Sequence, residues 1–431
     1  MAGIIPFRGI LYNVSKVSVE DVLAPPYDII TPEYQEELYR KSPYNIVRVD
    51  LGKEQHEDNE TDNRYTRARS YIEEWINEGV LVRSTRPSFY AYKMSYRINE
   101  EEKHLSGFLG LVKIEELGKG NIHPHECTYS KPKQDRLNLL RSCEANISPI
   151  FSLYKSAEKQ ISTLLSKITM AEPYIEAKDA AGSVHRLWQI DEKKDIEIIK
   201  KELEDKAIFI ADGHHRYETA FEFQREMNRQ TSDTTPPPPP LKKGGIKGGV
   251  NPWDYVLMFL ANMLDEGLTI LPAHRLLKET PDDPSMMLPE YFDIEPVEAD
   301  FDIANRIAGK RGVFGFFQNG SKAWYILKYK KGNLSEVCPD LREVDVIILH
   351  ELVLKKIFKV NDIGYEMDVN KALDKVRSGQ FSAAFFLNPT KVEDVEKAAL
   401  SSVRMPPKST YFYPKLLTGI VINKWEVGNE K

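Results

Sequence analysis

The segment that most limits what this chain can fold into is Thr231–Gly249, TSDTTPPPPPLKKGGIKGG. Five successive prolines offer no backbone N–H to a helix or a sheet and favour polyproline II, and the glycine pairs behind them favour coil. The segment therefore reads as an exposed loop, bounded at 231–252, between a helix and a strand. A proline-rich ligand for a partner domain is the alternative use, but a minimal PxxP inside an insertion favours a plain loop.

Regular structure is expected on both sides of it. Pro32–Lys41 reads as a short helix with Thr31 as N-cap and Pro32 at the first helical position. Arg64–Glu78 has apolar or aromatic residues at 65, 68, 71, 72, 75 and 76, a helical spacing that stops at Gly79. Ser88–Tyr96 and Ser106–Ile114 read as strands of one antiparallel sheet. Tyr255–Leu264 and Leu268–Leu271 flank Asp265-Glu266-Gly267 and predict a hairpin. Val313–Gln318 with Trp324–Tyr329 predicts a second strand pair. Val344–Phe358, Lys371–Ser378 and Val392–Ser401 read as helices, and Phe381–Leu387 as a strand.

The fold class is thus α+β, with mixed, mainly antiparallel sheets and flanking helices. A length of 431 residues exceeds one ordinary core. Three regions are expected: an N-terminal α+β region 1–120, a central region 121–280 and a C-terminal α+β region 281–431.

Composition narrows the function. The net charge of −6 supplies no excess of cations for a run of phosphates, so broad nucleic-acid binding is not expected. The longest apolar stretch, Tyr255–Leu264, is too short to span a bilayer. Three cysteines, Cys127, Cys143 and Cys338, form no CxxC pair and fit a reducing compartment. The N-terminus has no pattern of a secretory leader. A cytoplasmic protein is expected.

The densest polar cluster is IADGHHRYETA, Ile210–Ala220. Lys206–Ala211 reads as a short strand, Asp212-Gly213-His214-His215 as a tight turn, and Arg216 onward as a helix. The first N–H groups of a helix have no internal partners, and the helix dipole makes that end positive. Gly213 permits a positive φ or close approach. Arg216 adds a planar fork and His214 and His215 add titratable donors. Such a group can hold a phosphate. Asp212 can hold Mg²⁺, orient a histidine or simply cap the helix.

ADGHHRYETA resembles the signature of the uncharacterised domain-of-unknown-function family numbered ten-fifteen. Ala24–Ile30 (APPYDII), Glu126–Tyr154 and Met405–Gly419 resemble the same family, so the resemblance covers almost the whole chain. The DGHHR turn is also similar to the arginine-bearing phosphate box of the ParB/sulfiredoxin-like superfamily, which includes free serine kinases. That similarity implies a phosphate box at a strand–turn–helix junction, in which Gly213, His214, His215 and Arg216 hold phosphate.

Other clusters keep more than one reading. His123-Pro124-His125-Glu126 suits a metal site completed by Asp212 or His214, a general base at Glu126, or an exposed turn. The family resemblance favours His125 and Glu126. Cys127 is read as structural. In Lys131–Arg141, Asp135 reads as a helix cap, and Arg136 and Arg141 as solvated charge or as a second wall of an anion pocket. Pro25-Pro26-Tyr27-Asp28 is a rigid turn taken as a pocket edge. His274-Arg275 reads as a satisfied surface pair. Lys408-Ser409-Thr410 with Tyr411, Tyr413 and Lys415 suits an anion or an edge-strand aromatic cluster.

Neither GxxxxGK[ST], GxGxxG, GxSxG, HExxH nor a protein-kinase set occurs. The expectation is a nucleotide-dependent phosphotransferase, ATP- or ADP-dependent with Mg²⁺, acting on a small hydroxyl-bearing metabolite. Glu126, Asp212 and His215 are its catalytic candidates. Gly213, His214, Arg216 and Arg136 are its phosphate- or nucleotide-binding candidates, and Asp212 is its candidate metal ligand. The alternatives are a nucleotide-sensing module without rapid chemistry and a metal-dependent hydrolase built on the His/Asp cluster.

Overall fold

The computed structural model describes residues 3–128, 130–233, 251–281, 287–298, 302–320, 323–360, 362–401 and 403–425. Most of the Pro/Gly-rich segment lies outside the described residues, so the loop and partner readings of it find no counterpart there. The chain is α+β with mainly antiparallel sheets. It divides into two compact units that are discontinuous in sequence. Among the described residues no helix is long and apolar enough to cross a membrane.

The first unit comprises 1–123, 128–268 and 414–431. Its main sheet has nine strands. Eight follow the order Ile122–His123, Ile208–Asp212, Ile150–Tyr154, Tyr255–Asn262, Glu101–Lys113, Phe89–Ile98, Val184–Ile190 and Ile175–Lys178, and Ile4–Ile5 pairs beside Glu101–Lys113. Two neighbouring pairs are parallel: Ile208–Asp212 with Ile122–His123, and Tyr255–Asn262 with Ile150–Tyr154. The expected strand pair forms, and both strands are longer than read from the sequence. Ile98 faces Glu101 across a two-residue turn in which Asn99 and Glu100 both have positive φ, the geometry that matches strand twist in a tight hairpin.

Alternation along the strands decides what is covered. Ile208 and Ile210, and Val256, Met258 and Leu260, turn the same sheet face toward Leu137 and Leu140 of Ser130–Cys143 and toward Tyr217, Ala220 and Phe223 of His214–Asp233. Burial of each large side chain contributes roughly 1.5–3 kcal/mol. Tyr217 adds a direct tie, because its hydroxyl donates to the Glu115 carbonyl (2.7 Å) and accepts the Glu115 N–H (2.9 Å). The sheet thereby fixes the first turn of the helix that carries the polar cluster.

The expected hairpin at 255–271 does not form. All eight residues of Tyr255–Asn262 are buried, and the strand is flanked on both edges by Glu101–Lys113 and Ile150–Tyr154. Both of its hydrogen-bonding edges are taken. Thr269–Leu271 pairs instead with Tyr411–Tyr413 in the second unit. The turn itself is real: the Gly267 N–H donates to Asp265 Oδ1 (2.8 Å), and a Cβ at 267 would lie 1.9 Å from the His104 carbonyl oxygen.

The second unit comprises 124–127 and 269–413. Its antiparallel sheet runs Phe292–Glu298, Ala323–Tyr329, Val313–Gln318, Ala383–Phe386, His274–Leu277, Ile363–Glu366. Ile303–Ile307 and Val369–Arg377 cover one face through Ile303, Ile307, Ala372, Leu373 and Val376. The other face carries Phe316 and Phe385, which meet Phe358 at the end of the helical stretch Asp345–Phe358. From Ile348 onward this stretch is wound as a π-helix. The segment Pro124–Cys127 enters this unit: Met405 N–H donates to the His125 carbonyl (2.7 Å), and Cys127 N–H to the Met405 carbonyl (3.1 Å).

Two local expectations are corrected. Asp135 is not a helix cap; the helix begins at Ser130, and Asp135 inside it accepts from Arg64 (2.5 Å) and the Tyr65 hydroxyl (2.9 Å). His274 and Arg275 are not a surface pair; both are buried, because their strand is an interior one between Ala383–Phe386 and Ile363–Glu366.

Candidate functional site

The strand–turn–helix junction stands in the first unit as the sequence indicates. Ile208–Asp212 is the strand and His214–Asp233 the helix, so the helix begins two residues before Arg216. Gly213 joins them with φ +94°. Few side chains tolerate that value, and a Cβ there would also lie 2.8 Å from Arg216 Nε. The guanidinium of Arg216 thus lies directly against the glycine, and glycine is needed for backbone and for space. His214 is buried and His215 half-buried in the first helical turn.

Arg216 is held from several sides. Its Nη1 donates to Ser148 Oγ (2.8 Å) and to the Pro149 carbonyl, and its Nη2 lies 3.5 Å from Asp212 Oδ2. Ser148 also receives a hydrogen bond from the Thr418 hydroxyl (3.2 Å). Lys415 Nζ approaches the same Asp212 oxygen at 3.3 Å. The Asn146–Pro149 turn and the 415–418 tail therefore meet the junction.

Arg136 lies close by. Its Nη1 pairs with Asp50 Oδ1 at 2.9 Å, its Nη2 donates to the Asp50 carbonyl at 2.8 Å, and its Nε reaches Asp135 Oδ2 at 2.8 Å. The guanidinium sits 4.0 Å above the Tyr27 ring, so the Pro-Pro-Tyr-Asp turn does border the cluster. Burial pushes the Tyr27 hydroxyl up to about 12, against the opposing pull of Arg136. Burial also raises the Asp50 carboxyl, with Arg136 and Arg216 acting the other way.

Arg136 and Arg216 line one cavity of about 50 Å³ together with Asp50, Asn146, Ser148 and Thr219. That is room for a few waters; the rest of its lining is apolar, and Gly213, His214 and His215 are not part of it. Asp50 Oδ2 is buried there without a hydrogen-bond partner. Sequence reasoning missed Asp50, an acid that closes the short helical turn Val47–Asp50. It also missed that Ser148 and Lys415 are the groups that fix Arg216 and Asp212.

The remaining candidates are placed elsewhere. His123 stacks on Phe209 in the first unit, with ring centroids 5.5 Å apart. His125 is buried in the second unit, with Nε2 3.0 Å from Thr410 Oγ1 and its ring against Phe412. Glu126, also in the second unit, accepts the Lys408 N–H at Oε1 (2.9 Å) and offers its carbonyl to Arg404 (2.9 Å). Arg141 pairs with Glu226 on the surface. Cys127 is exposed and Cys143 buried.

Among the described residues no group of three or more His, Cys, Asp or Glu side chains gathers to hold a metal. The Asp212 carboxylate is answered by Lys415 and Arg216, two cations on one oxygen. That surrounding suits an anion better than Mg²⁺, so Asp212 does not fit the part of metal ligand. The arrangement can bind an oxyanion through a partly buried arginine, a hydroxyl and the start of a helix.

The family described as "Protein of unknown function (DUF1015)" matches residues 4–347. No curated protein matches the chain. Among solved structures, a free serine kinase in complex with AMP is 12% identical, with 71% of this chain and 98% of the other covered and a TM-score of 0.36. A conserved hypothetical protein from Pyrococcus furiosus is 13% identical, covering 68% and 87%, with a TM-score of 0.33. SbnI from Staphylococcus aureus, truncated at its C-terminus, is 10% identical, covering 72% and 85%, with a TM-score of 0.35. Likeness at this level carries no functional argument.

Proposed function

The chain belongs to the DUF1015 family, and we propose that in it the ADGHHR junction binds phosphate for a nucleotide-dependent phosphotransferase acting on a small hydroxyl-bearing metabolite. One observation carries the reading: Gly213, at φ +94°, lies against the Arg216 guanidinium, which shares a cavity of about 50 Å³ with Arg136.

Each group has a role in it. N–H groups in the first turn of His214–Asp233 face the incoming oxyanion, and the helix dipole favours it. Arg216 supplies positive charge of the kind a transferring phosphoryl group requires, and Arg136, held by Asp50 and Asp135, lines the same cavity. Ser148 and the Pro149 carbonyl hold the Arg216 fork, so little ordering remains to be done on binding. His214 and His215 supply donors beside the oxyanion. In the reaction the bond from phosphorus to the nucleotide oxygen breaks and a bond to the metabolite hydroxyl oxygen forms. The hydroxyl proton passes to a carboxylate. The base role of Glu126 is a separate proposal with its own variant, and no metal is assigned to Asp212.

The test is incubation of the purified full chain with ATP or ADP and pooled small hydroxyl-bearing metabolites, followed by ³¹P NMR. A new phosphomonoester resonance that Arg216→Lys diminishes is expected. Neither turnover nor binding of either nucleotide would overturn the proposal.

A further inference from the structure

Among the described residues two arginines are almost fully buried, and their surroundings differ. Arg136, in the first unit, is paired with Asp50 and Asp135. Burial alone would lower its affinity for the proton, and those carboxylates more than reverse the effect. Arg275, in the second unit, is 1% exposed and has no carboxylate within ion-pair distance among the described residues. Its Nη1 donates to the Ala273 carbonyl, its guanidinium lies 4.9 Å from the Tyr365 ring centroid, and its Nη2 has no hydrogen-bond partner. Burial lowers its affinity for the proton, and the offsets from Tyr365 and Glu126 do not restore it.

The position is set by the sheet. Arg275 lies opposite Tyr365 on one neighbouring strand and Phe385 on the other. It therefore shares the face that carries Phe316 and Phe385 and meets Phe358 of the π-helical stretch Ile348–Phe358. Extended π-helix is rare and is concentrated at functional sites. His350 on that stretch is within electrostatic reach of Arg275, and both His350 and Tyr365 are half-buried.

A buried guanidinium without an anion carries a large desolvation cost, which an anionic ligand would offset. We infer that Arg275 anchors a second anion site, in the second unit, that takes a small carboxylate. A carboxylate matches the planar fork and supplies the single negative charge that is missing. A phosphate dianion would add a second charge within reach of Glu126, which disfavours it. The site is independent of the phosphate reading of the first unit.

The experiment titrates the full chain with acetate, glycolate, L-lactate and inorganic phosphate, by calorimetry and by thermal melting. Wild type, Arg275→Met, Arg275→Lys and Arg216→Lys are compared. At least one carboxylate is expected to bind saturably and raise the Tm of wild type. Arg275→Met loses that response, and Arg275→Lys weakens it on the order of tenfold to a hundredfold, as for loss of a charge-assisted hydrogen bond. Arg216→Lys leaves it unchanged. Without ligand, Arg275→Met melts no lower than wild type, because it removes an uncompensated charge at similar volume, so its loss of response is not unfolding. The inference is overturned if no carboxylate acts on wild type, if Arg275→Met responds as wild type does, or if inorganic phosphate alone binds in an Arg275-dependent way.

Discussion

Gly213→Ala tests the junction more sharply than removal of any charged group, because the structure supplies its own control. Gly118 has φ +84° with nothing within 4 Å of where a Cβ would stand, whereas Gly213 has φ +94° with Arg216 Nε at 2.8 Å. Alanine at either position meets the backbone cost of a positive φ, about 1–2 kcal/mol. At 213 the new methyl must also push the guanidinium away from Ser148 and Pro149. A lost hydrogen bond to a charged group costs about 1.5–3 kcal/mol. Gly213→Ala should therefore destabilise by about 2.5–5 kcal/mol and Gly118→Ala by about 1–2 kcal/mol. Urea titration of the full chain measures both, from the shift in midpoint at a common slope. Equal costs at the two positions would refute the packing of Arg216 against Gly213. Wild-type affinity for ADP in a folded Gly213→Ala protein would refute the use made of that packing.

Three further outcomes are expected. Asp50→Ala leaves Arg136 buried beside only Asp135 and should cost about 3–5 kcal/mol, while the double change Asp50→Leu, Arg136→Met should recover most of it; denaturant melts check both. Burial raises the Asp345 carboxyl from its ordinary 3.8 to about 6 in the folded chain. A raised carboxyl contributes stability below about pH 4 and loses it as pH rises through 6, so the contribution of this group to the unfolding free energy should fall by about 2–3 kcal/mol between pH 4 and 7, against the opposite trend from His274 and His350, which burial lowers to about 4. Asp345→Asn, which can still accept the Gly312 N–H, should flatten that slope and be the more stable protein at pH 7. Glu126→Gln tests the separate base proposal: loss of phosphoryl transfer with nucleotide binding unchanged supports it, unchanged turnover removes Glu126 as base, and binding with no turnover in wild type supports the nucleotide-sensing reading.

The junction was legible because local chemistry determines it: an apolar run, a glycine and a helix start need no distant information. The α+β class was legible for the same reason, since strand and helix periods repeat within single segments. What escaped depends on partners far along the chain. Tyr255–Asn262 reads as half of a hairpin until its two edges are seen to be occupied by Glu101–Lys113 and Ile150–Tyr154, both far earlier in the chain. Asp50 is an unremarked acid until Arg136, 86 residues on, is found against it. Arg275 looked like surface charge because sequence does not show that its strand has a neighbour on each side. Lys415 and Asp212 are 203 residues apart, and only folding makes the tail part of the turn.

The central claim is that an oxyanion binds at Gly213 and Arg216, and a crystal structure of the full chain with ADP tests it most directly. The account predicts phosphoryl oxygens about 2.7–3.2 Å from the Arg216 guanidinium and from N–H groups of the first turn of His214–Asp233. ADP bound with its phosphates away from that turn, or an empty junction at saturating ADP, would contradict it.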